Sequence, residues 1–292
     1  MDTKLESFSI PVLLSEYSYQ SLPGNGVRSK SFILTICILC LFLNSAADAS
    51  NAKLIKAENL FRMHCKKAGE KIVRTVDNVE GVYILNLRTS RNFDDQFAMD
   101  DPYGKDFIND GYFQTFLRES YEIMERHRLR YPALAKKSNP RAQVGYAYVE
   151  AINPANGIRY RYTGRIEQPG LNDPSHVKDY FKFVLESAPS SGPPPRYGVM
   201  FEDISTHQDR LHWIAGSSLK VIDLKEEKVI AERVGYMMDR GQGNTNGGRS
   251  PWLLAASTSC PQFPLPYPTT NQLSQTDRFV EKVLRPITKK NP

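Results

Sequence analysis

The sequence predicts one α+β domain in which amphipathic helices pack on an antiparallel sheet built from hairpins. Three observations favour this class. Two β-rich runs, 219–222 and 229–236, flank a charged turn at 225–228. Two further β-rich runs flank Asn156-Gly157, which is a strong hairpin turn signal. In several other segments apolar residues recur at intervals of three and four, which is typical of helices that bury one face.

The first fifty residues are expected to lie outside this domain. Arg28 and Lys30 precede the apolar run 32–43, and Ala47-Asp48-Ala49 then places small residues at the two positions that signal peptidase requires. The apolar run has about 12 residues, whereas a span of the bilayer needs about 20. The pattern predicts a signal peptide over 27–49, with a membrane anchor as the alternative.

This interpretation divides the chain into three parts. Residues 1–26 are predicted to be a non-native or misassigned extension, since export signals normally begin within a few residues of their basic segment. Residues 27–49 are the signal peptide, and residues 50–292 are the exported domain. We expect a periplasmic or secreted protein with no stable membrane span after signal cleavage, and therefore no nucleic-acid partner. The formal net charge of +6 is then interpreted as a solubility feature.

Two cysteines, Cys65 and Cys260, remain after signal cleavage. In an oxidising compartment they predict one disulfide bond, with two buried free thiols as the alternative. Closing so long a loop would remove roughly 5 kcal/mol of unfolded-state entropy in the simple chain model.

The first half of the exported domain is predicted to contain two helices, two strands and one hairpin. The first helix covers 51–68, because Leu54, Ala57, Phe61, Cys65 and Ala68 form one apolar stripe. Strands are expected at 71–76 and 82–87, a loop at 88–111, a helix at 112–127 and a basic linker at 126–141. The Asn-Gly hairpin then pairs 146–152 with 158–166.

In the second half, Asp173 is expected to cap a helix with Pro174 at its first position and an apolar stripe that ends at Leu185. A stiff connector at 187–195, a strand at 196–204, a polar turn at 205–210 and a strand at 211–215 lead into the charged hairpin. A proline-rich connector at 260–268 precedes a final helix at 276–284, which Pro286 ends.

The loop between the charged hairpin and 252–254 is the strongest candidate for ligand binding. Its glycines could present backbone N–H groups to an anion, its arginines could present guanidinium groups, and its tryptophan offers a stacking surface. The candidate binding residues are Arg240, Gly241, Gly243, Gly247, Gly248, Arg249 and Trp252. The alternative is a long flexible connection, although loops of this length without structure of their own are uncommon unless functional.

No catalytic residue, metal site or cofactor is predicted. Asp203, His207, Asp209 and His212 are residue types that bind metal, but their spacing fits none of the familiar ligand patterns. Ser217 to Lys220 matches S-x-x-K, but the segment leads into a strand, where the two side chains would point to opposite faces.

Several long segments of the chain resemble an uncharacterised family of exported proteins from Gram-negative bacteria. The segments are YGVMFEDIST, HWIAGSSLKVIDL, VIAERVGYMMDRGQG, GGRSPWLLA and QTDRFVEKVLRP, with CKKAGEKIVRTVDNVEGVYIL, DDPYG and RYRYTGRIE before them. The resemblance covers most of 60–286. It implies a bacterial source and export, and it implies no activity, cofactor or catalytic residue.

Two classes of function follow from these observations. The first is a non-enzymatic binding or structural protein that contacts an anionic ligand or an envelope protein through the 240–252 loop. The second is a cell-envelope hydrolase with a site assembled from separate loops, to which Asp203, His207 and His212 would contribute. The first is favoured, because no nucleophile, base and orienting group can be named together.

Overall fold

The computed structural model describes residues 51–87, 95–104, 110–119, 123, 126, 145–168 and 180–287. These residues belong to one compact unit, Asn51–Pro292. The predicted extension 1–26, the predicted signal peptide 27–49 and most of the basic linker 126–141 lie outside the described residues. Within the described part of the chain, no helix combines the length and the apolar character needed to cross a bilayer.

The described residues form short helices and a larger set of strands. The helices are α1 (51–65), α2 (Asp110–Phe116), α3 (His207–Leu211), α4 (Pro251–Ala255), α5 (Pro268–Leu273) and α6 (Gln275–Val283). The strands are β1 (Gly69–Ile72), β2 (Val76–Val79), β3 (Gly81–Ile84), β4 (Tyr148–Ile152), β5 (Arg159–Glu167), β6 (Lys182–Pro189), β7 (Tyr197–Asp203), β8 (Ile214–Asp223), β9 (Lys228–Met238), β10 (Ser259–Cys260) and β11 (Leu284–Pro286).

The main sheet has the order β1-β9-β8-β7-β3-β4-β5-β6, and β10 also pairs with β9. The α+β class is confirmed, but the prediction of a purely antiparallel sheet is wrong. Strand β3 runs parallel to both of its neighbours, β4 and β7. A parallel pair needs a long crossover rather than a tight turn, and the segment between β3 and β4 provides one. Strands β2 and β11 form a separate parallel pair.

The two predicted hairpins are confirmed. In the first, β8 and β9 pair antiparallel, with Leu219 opposite Arg233. Its turn is held by Asp223, whose buried carboxylate accepts the backbone N–H groups of Lys225 and Glu226. A hydrogen bond from Arg196 is the main reason why the pKa of Asp223 falls to about 2. In the second hairpin, β4 pairs with β5, and Gly157 adopts φ +69° in the turn.

One predicted helix is a strand. Residues expected to complete the helix after Asp173 form β6, which pairs antiparallel with β5. The ladder with β5 overrides the helical spacing, and the Phe183 ring fills the space over Gly164, where a Cβ would collide with it. The predicted connector at 187–195 begins later, since β6 continues to Pro189; a proline is tolerated there because β6 is an edge strand. Residues 171–179 lie outside the described part.

Other predicted boundaries also shift. The polar turn at 205–210 contains α3, which begins at a capping box between Thr206 and Asp209. The strand predicted at 71–76 is divided between β1 and β2, and the strand predicted at 211–215 begins only at Ile214. The helix predicted at 112–127 is interrupted: α2 ends at Phe116, a turn covers 117–118, and the described residues 119, 123 and 126 are again helical. The final helix is confirmed as α6, although the chain continues after it as β11.

The predicted disulfide bond is present. Cys65 at the end of α1 and Cys260 in β10 are joined, with their Cα atoms 5.5 Å apart. The bond attaches α1 to the strand that pairs with β9. The largest apolar cluster lies between the sheet and the helices α2 and α6, which contribute Phe113, Phe116, Phe279, Val280 and Val283.

Candidate anion-binding site

One arginine, Arg233, is buried near the middle of β9, which is the second strand from one end of the main sheet. Arg233 of β9 pairs with Leu219 on β8 and with Glu70 on β1, and only 4% of the residue is exposed. Its Nε, Nη1 and Nη2 atoms are all buried, and none has a hydrogen-bond partner among the described residues. A guanidinium carries five N–H donors and is charged at any physiological pH. Among the described residues, therefore, no group accepts a hydrogen bond from this buried positive charge.

Two aromatic rings hold this guanidinium in place. Its central carbon lies 5.8 Å from the centroid of the Tyr103 ring and 5.7 Å from that of the Phe279 ring. Such cation–π contacts contribute about 0.5–2 kcal/mol each, and they act on the charge without satisfying N–H donors that lie in the guanidinium plane. The rings therefore position Arg233 but leave its hydrogen-bonding capacity unused.

The position of the Tyr103 ring depends on Gly235, which lies on the same strand as Arg233. Gly235 lies two residues after Arg233, so both face the same side of β9. A Cβ at Gly235 would collide with the Tyr103 ring, and the missing side chain therefore makes room for that ring. On its other side the ring packs against Phe263, with centroids 5.4 Å apart.

Polar contacts hold the backbone of the same segment. The carbonyl oxygen of Tyr103 accepts hydrogen bonds from the side-chain amides of Gln272 at 2.9 Å and Gln275 at 2.8 Å. The carboxylate of Asp101 accepts from the backbone N–H of Gly104 at 3.0 Å and from the hydroxyl of Ser217 at 2.8 Å. The walls around Arg233 are thus assembled by internal contacts, without any ligand.

Arg233 and its two rings line a cavity of about 240 Å³ between β9, α6 and the segment that follows Cys260. The cavity walls also include Phe263, two prolines and charged residues of α6. The charged residues in the lining are Glu70, Arg233, Arg278 and Lys282. Glu70 is bound to Lys282, and Arg278 donates to Asn271. The lining therefore carries an excess of positive charge.

The unpaired guanidinium gives this cavity the capacity to bind an anion. A buried charge without a partner costs several kcal/mol, and a carboxylate or phosphate beside it removes most of that cost. The planar guanidinium fork matches the two oxygens of a carboxylate, so one ligand group can receive two parallel hydrogen bonds. The cavity is thus suited to a small anion.

The 240–252 loop uses its cationic groups differently. Arg249 forms a double ion pair with the fully buried Asp239, with 2.9 Å between Nη1 and Oδ2, and the hydrogen bond raises the pKa of Arg249. The backbone N–H groups of Gly241 and Gly243 donate to the same carboxylate. The predicted motif therefore does surround an anion, but that anion is the Asp239 side chain of the protein itself.

The remaining residues of the predicted loop site lie apart from the Asp239 carboxylate. Arg240 pairs with Glu58 of α1 at 2.6 Å. Trp252 is buried and packs against Trp213, with ring centroids 5.1 Å apart. Gly247 and Gly248 adopt φ +68° and +75° at the short 3₁₀ turn. Whether this loop also binds an external ligand stays a prediction.

The residues considered for metal binding or hydrolysis have separate partners. Asp203 pairs with Arg210, and His207 stacks on Phe97 with centroids 4.8 Å apart. His212 contacts the Gln208 amide at 3.0 Å, and burial is the main cause that lowers its pKa. Among the described residues, no three His, Cys, Asp or Glu side chains are close enough to hold a metal ion.

The fourth of these residues, Asp209, belongs to a pair that the sequence did not reveal. Its buried carboxylate lies 2.7 Å from Nε2 of His64, and the His64 ring stacks on Tyr236. His64 is 145 residues away in the chain and comes directly before the disulfide cysteine Cys65.

Sequence reasoning also missed the residues around Arg233. The sequence does contain one signal: neither strand of the charged hairpin alternates between apolar and polar residues, a pattern that predicts partial cover of both faces of β9. A cation in the middle of such a strand is therefore expected to be at least partly buried. Tyr103 lies 130 residues before Arg233, and Gln275 and Phe279 lie 42 and 46 residues after it, so no local pattern could have identified them.

Comparison with protein-family models, with curated proteins and with solved structures finds no match for this chain. The resemblance to an exported Gram-negative family therefore stays a prediction.

Proposed function

We propose that this protein is a non-enzymatic binding protein that captures a small carboxylate in the Arg233 cavity. The observation that carries the proposal is the buried guanidinium whose three nitrogens have no hydrogen-bond partner among the described residues. Buried polar groups in proteins are almost always paired, so an unpaired one calls for an explanation. An anionic ligand that accepts hydrogen bonds from Arg233 supplies that explanation.

The chemistry of the walls supports a carboxylate over a phosphate. The deepest cation is a single guanidinium, which matches the single negative charge and the two oxygens of a carboxylate. Much of the remaining lining is apolar, since Tyr103, Phe263 and Phe279 contribute rings.

Thermal unfolding in the presence of small anions tests this proposal. We expect acetate, propionate or benzoate, added at about 100 times its dissociation constant, to stabilise the folded state by about 2.7 kcal/mol. For a domain of this size that corresponds to an increase of roughly 5–10 °C in the unfolding midpoint, measured against equal concentrations of chloride.

Two variants show whether the response belongs to Arg233. The Arg233→Met variant should lose the carboxylate response. The matched control is Arg285→Met, which removes an exposed arginine that pairs with Asp77 on the surface, and it should keep the response. The proposal is wrong if no carboxylate exceeds chloride, or if Arg233→Met responds as the unmodified protein does. A response to phosphate alone would also contradict it.

We also infer that this binding protein works outside the cytoplasm. The Cys65–Cys260 disulfide supports this location, because such bonds persist in oxidising compartments. The predicted signal peptide over 27–49 supports it independently. Mass measurement of the protein from fractionated cells provides the test: we expect a chain that begins at Ser50 in the periplasm or medium. An uncleaved chain with reduced thiols in the cytosol would contradict the inference.

A further inference from the structure

The amide of Gln275 has a fixed orientation in the Arg233 cavity. Its Nε2 donates to the carbonyl oxygen of Tyr103 at 2.8 Å. A flipped amide would place Oε1 against that carbonyl oxygen, and two acceptors would then face each other. The amide nitrogen is therefore bound to Tyr103, and the amide oxygen must point elsewhere.

That oxygen is a second unused group in the same place. Oε1 of Gln275 is buried and has no hydrogen-bond partner among the described residues, and only 8% of the residue is exposed. Gln275 lines the cavity together with Arg233. Two residues that line the cavity thus carry unpaired groups, namely the donors of the Arg233 guanidinium and the acceptor of the Gln275 amide. A simple carboxylate would satisfy the first and leave the second unpaired.

We propose that the ligand is a small hydroxycarboxylate, whose carboxylate binds Arg233 and whose hydroxyl donates a hydrogen bond to Oε1 of Gln275. This inference rests on the proposed function and specifies the ligand of the same site. A hydroxyl is preferred to an ammonium group because Arg278 and Lys282 already surround the cavity with positive charge, against the single carboxylate of Glu70. The aromatic and proline walls contact the carbon skeleton.

Isothermal titration with matched acids tests this assignment. Lactate, propionate and alanine share a three-carbon carboxylate and differ at the second carbon, which bears a hydroxyl, a hydrogen or an ammonium group. We expect lactate to bind roughly three- to tenfold more tightly than propionate, which is the range for one hydrogen bond. Alanine should bind more weakly than lactate. Equal affinities for lactate and propionate, or a preference for alanine, would overturn the inference and leave carboxylate binding intact.

The Gln275→Met variant identifies the group responsible. Methionine has a similar length and no strong acceptor, so propionate should still bind while the advantage of lactate disappears. Gln272→Met is the matched control, because Gln272 also donates to the Tyr103 carbonyl but does not line the cavity. In that control both affinities can fall, but their ratio should persist.

The two proposals fail in different ways. If neither lactate nor propionate binds, the proposed function itself is wrong. If Gln275→Met weakens lactate and propionate by the same factor, Gln275 only positions Tyr103, and the hydroxycarboxylate assignment is wrong while the carboxylate site stands.

Discussion

The two faces of helix α6 carry opposite imbalances of charge. On one face, Gln275, Arg278, Phe279 and Lys282 line the cavity over Arg233, a buried cation that has no hydrogen-bond partner among the described residues. On the other face, the carboxylates of Asp277 and Glu281 both pair with Arg118. The spacing of α6 produces this separation, because residues three and four apart share a face. One helix thus separates an excess of buried positive charge from an excess of buried negative charge.

The difference shows how charge inside a protein can be compensated by the chain or by a ligand. Both carboxylates near Arg118 are buried, and burial is the main cause that raises the pKa of each. Protonation can therefore neutralise that face. Arginine cannot be neutralised by a change of protonation, since its guanidinium does not lose its proton in proteins. Near Arg233 the carboxylate of Glu70 pairs with Lys282, so an anion from outside would supply the acceptor that the guanidinium lacks among the described residues.

The largest expected effect is the difference in stability between two variants, each of which lacks one of the two arginines. Arg118→Met leaves two buried carboxylates without a cation, and we expect it to lower the free energy of unfolding by about 4 kcal/mol at pH 7.5. Arg233→Met removes a buried charge that has no carboxylate partner, so its free energy of unfolding without ligand should change by no more than about 1 kcal/mol, or increase. Urea unfolding of both variants measures the two changes.

If Arg233→Met lowers the free energy of unfolding as much as Arg118→Met does, the comparison is wrong, because Arg233 would then stabilise the fold even without a ligand. The circular dichroism spectra of both variants should match that of the unmodified protein, which shows that each measured change refers to the same fold.

The sequence predicts the local elements of the fold better than the pairing of distant strands. The helical spacing around Phe279, Val280 and Val283 is local, so α6 and its buried stripe are predicted correctly. The two hairpins are predicted for the same reason, since turn chemistry lies between their strands. The parallel pairing of β3 is not predicted, because it depends on segments far apart in the chain.

The candidate site is harder to predict than the fold. A guanidinium without a partner is defined by everything that surrounds it, and the sequence shows only that Arg233 lies in a β-rich run. In the 240–252 loop the sequence does show arginines beside glycines, but it cannot show that Asp239 already occupies the centre of that arrangement. Composition locates groups able to bind an anion, and the fold decides which of them are still unoccupied.

The smaller expected effect is a pH dependence from the acidic face of α6. Burial raises the pKa of Asp277 from 3.8 to about 6, and the neighbouring Glu281 adds to the shift while Arg118 opposes it. Because the folded-state pKa lies above the unfolded value, the contribution to stability is complete below about pH 4 and is lost as the pH rises through about 6. This loss amounts to about 3 kcal/mol.

The Asp277→Asn variant removes this titration. Its free energy of unfolding, relative to that of the unmodified protein, should therefore rise by about 3 kcal/mol between pH 4 and pH 7.5, as measured by urea unfolding at each pH. Asp77→Asn is the matched control, because Asp77 pairs with Arg285 on the surface and its side chain is 63% exposed. Its relative stability should vary much less with pH. If the difference between Asp277→Asn and the unmodified protein stays constant from pH 4 to pH 7.5, folding does not raise the pKa of Asp277, and the neighbouring cations offset the effect of its burial.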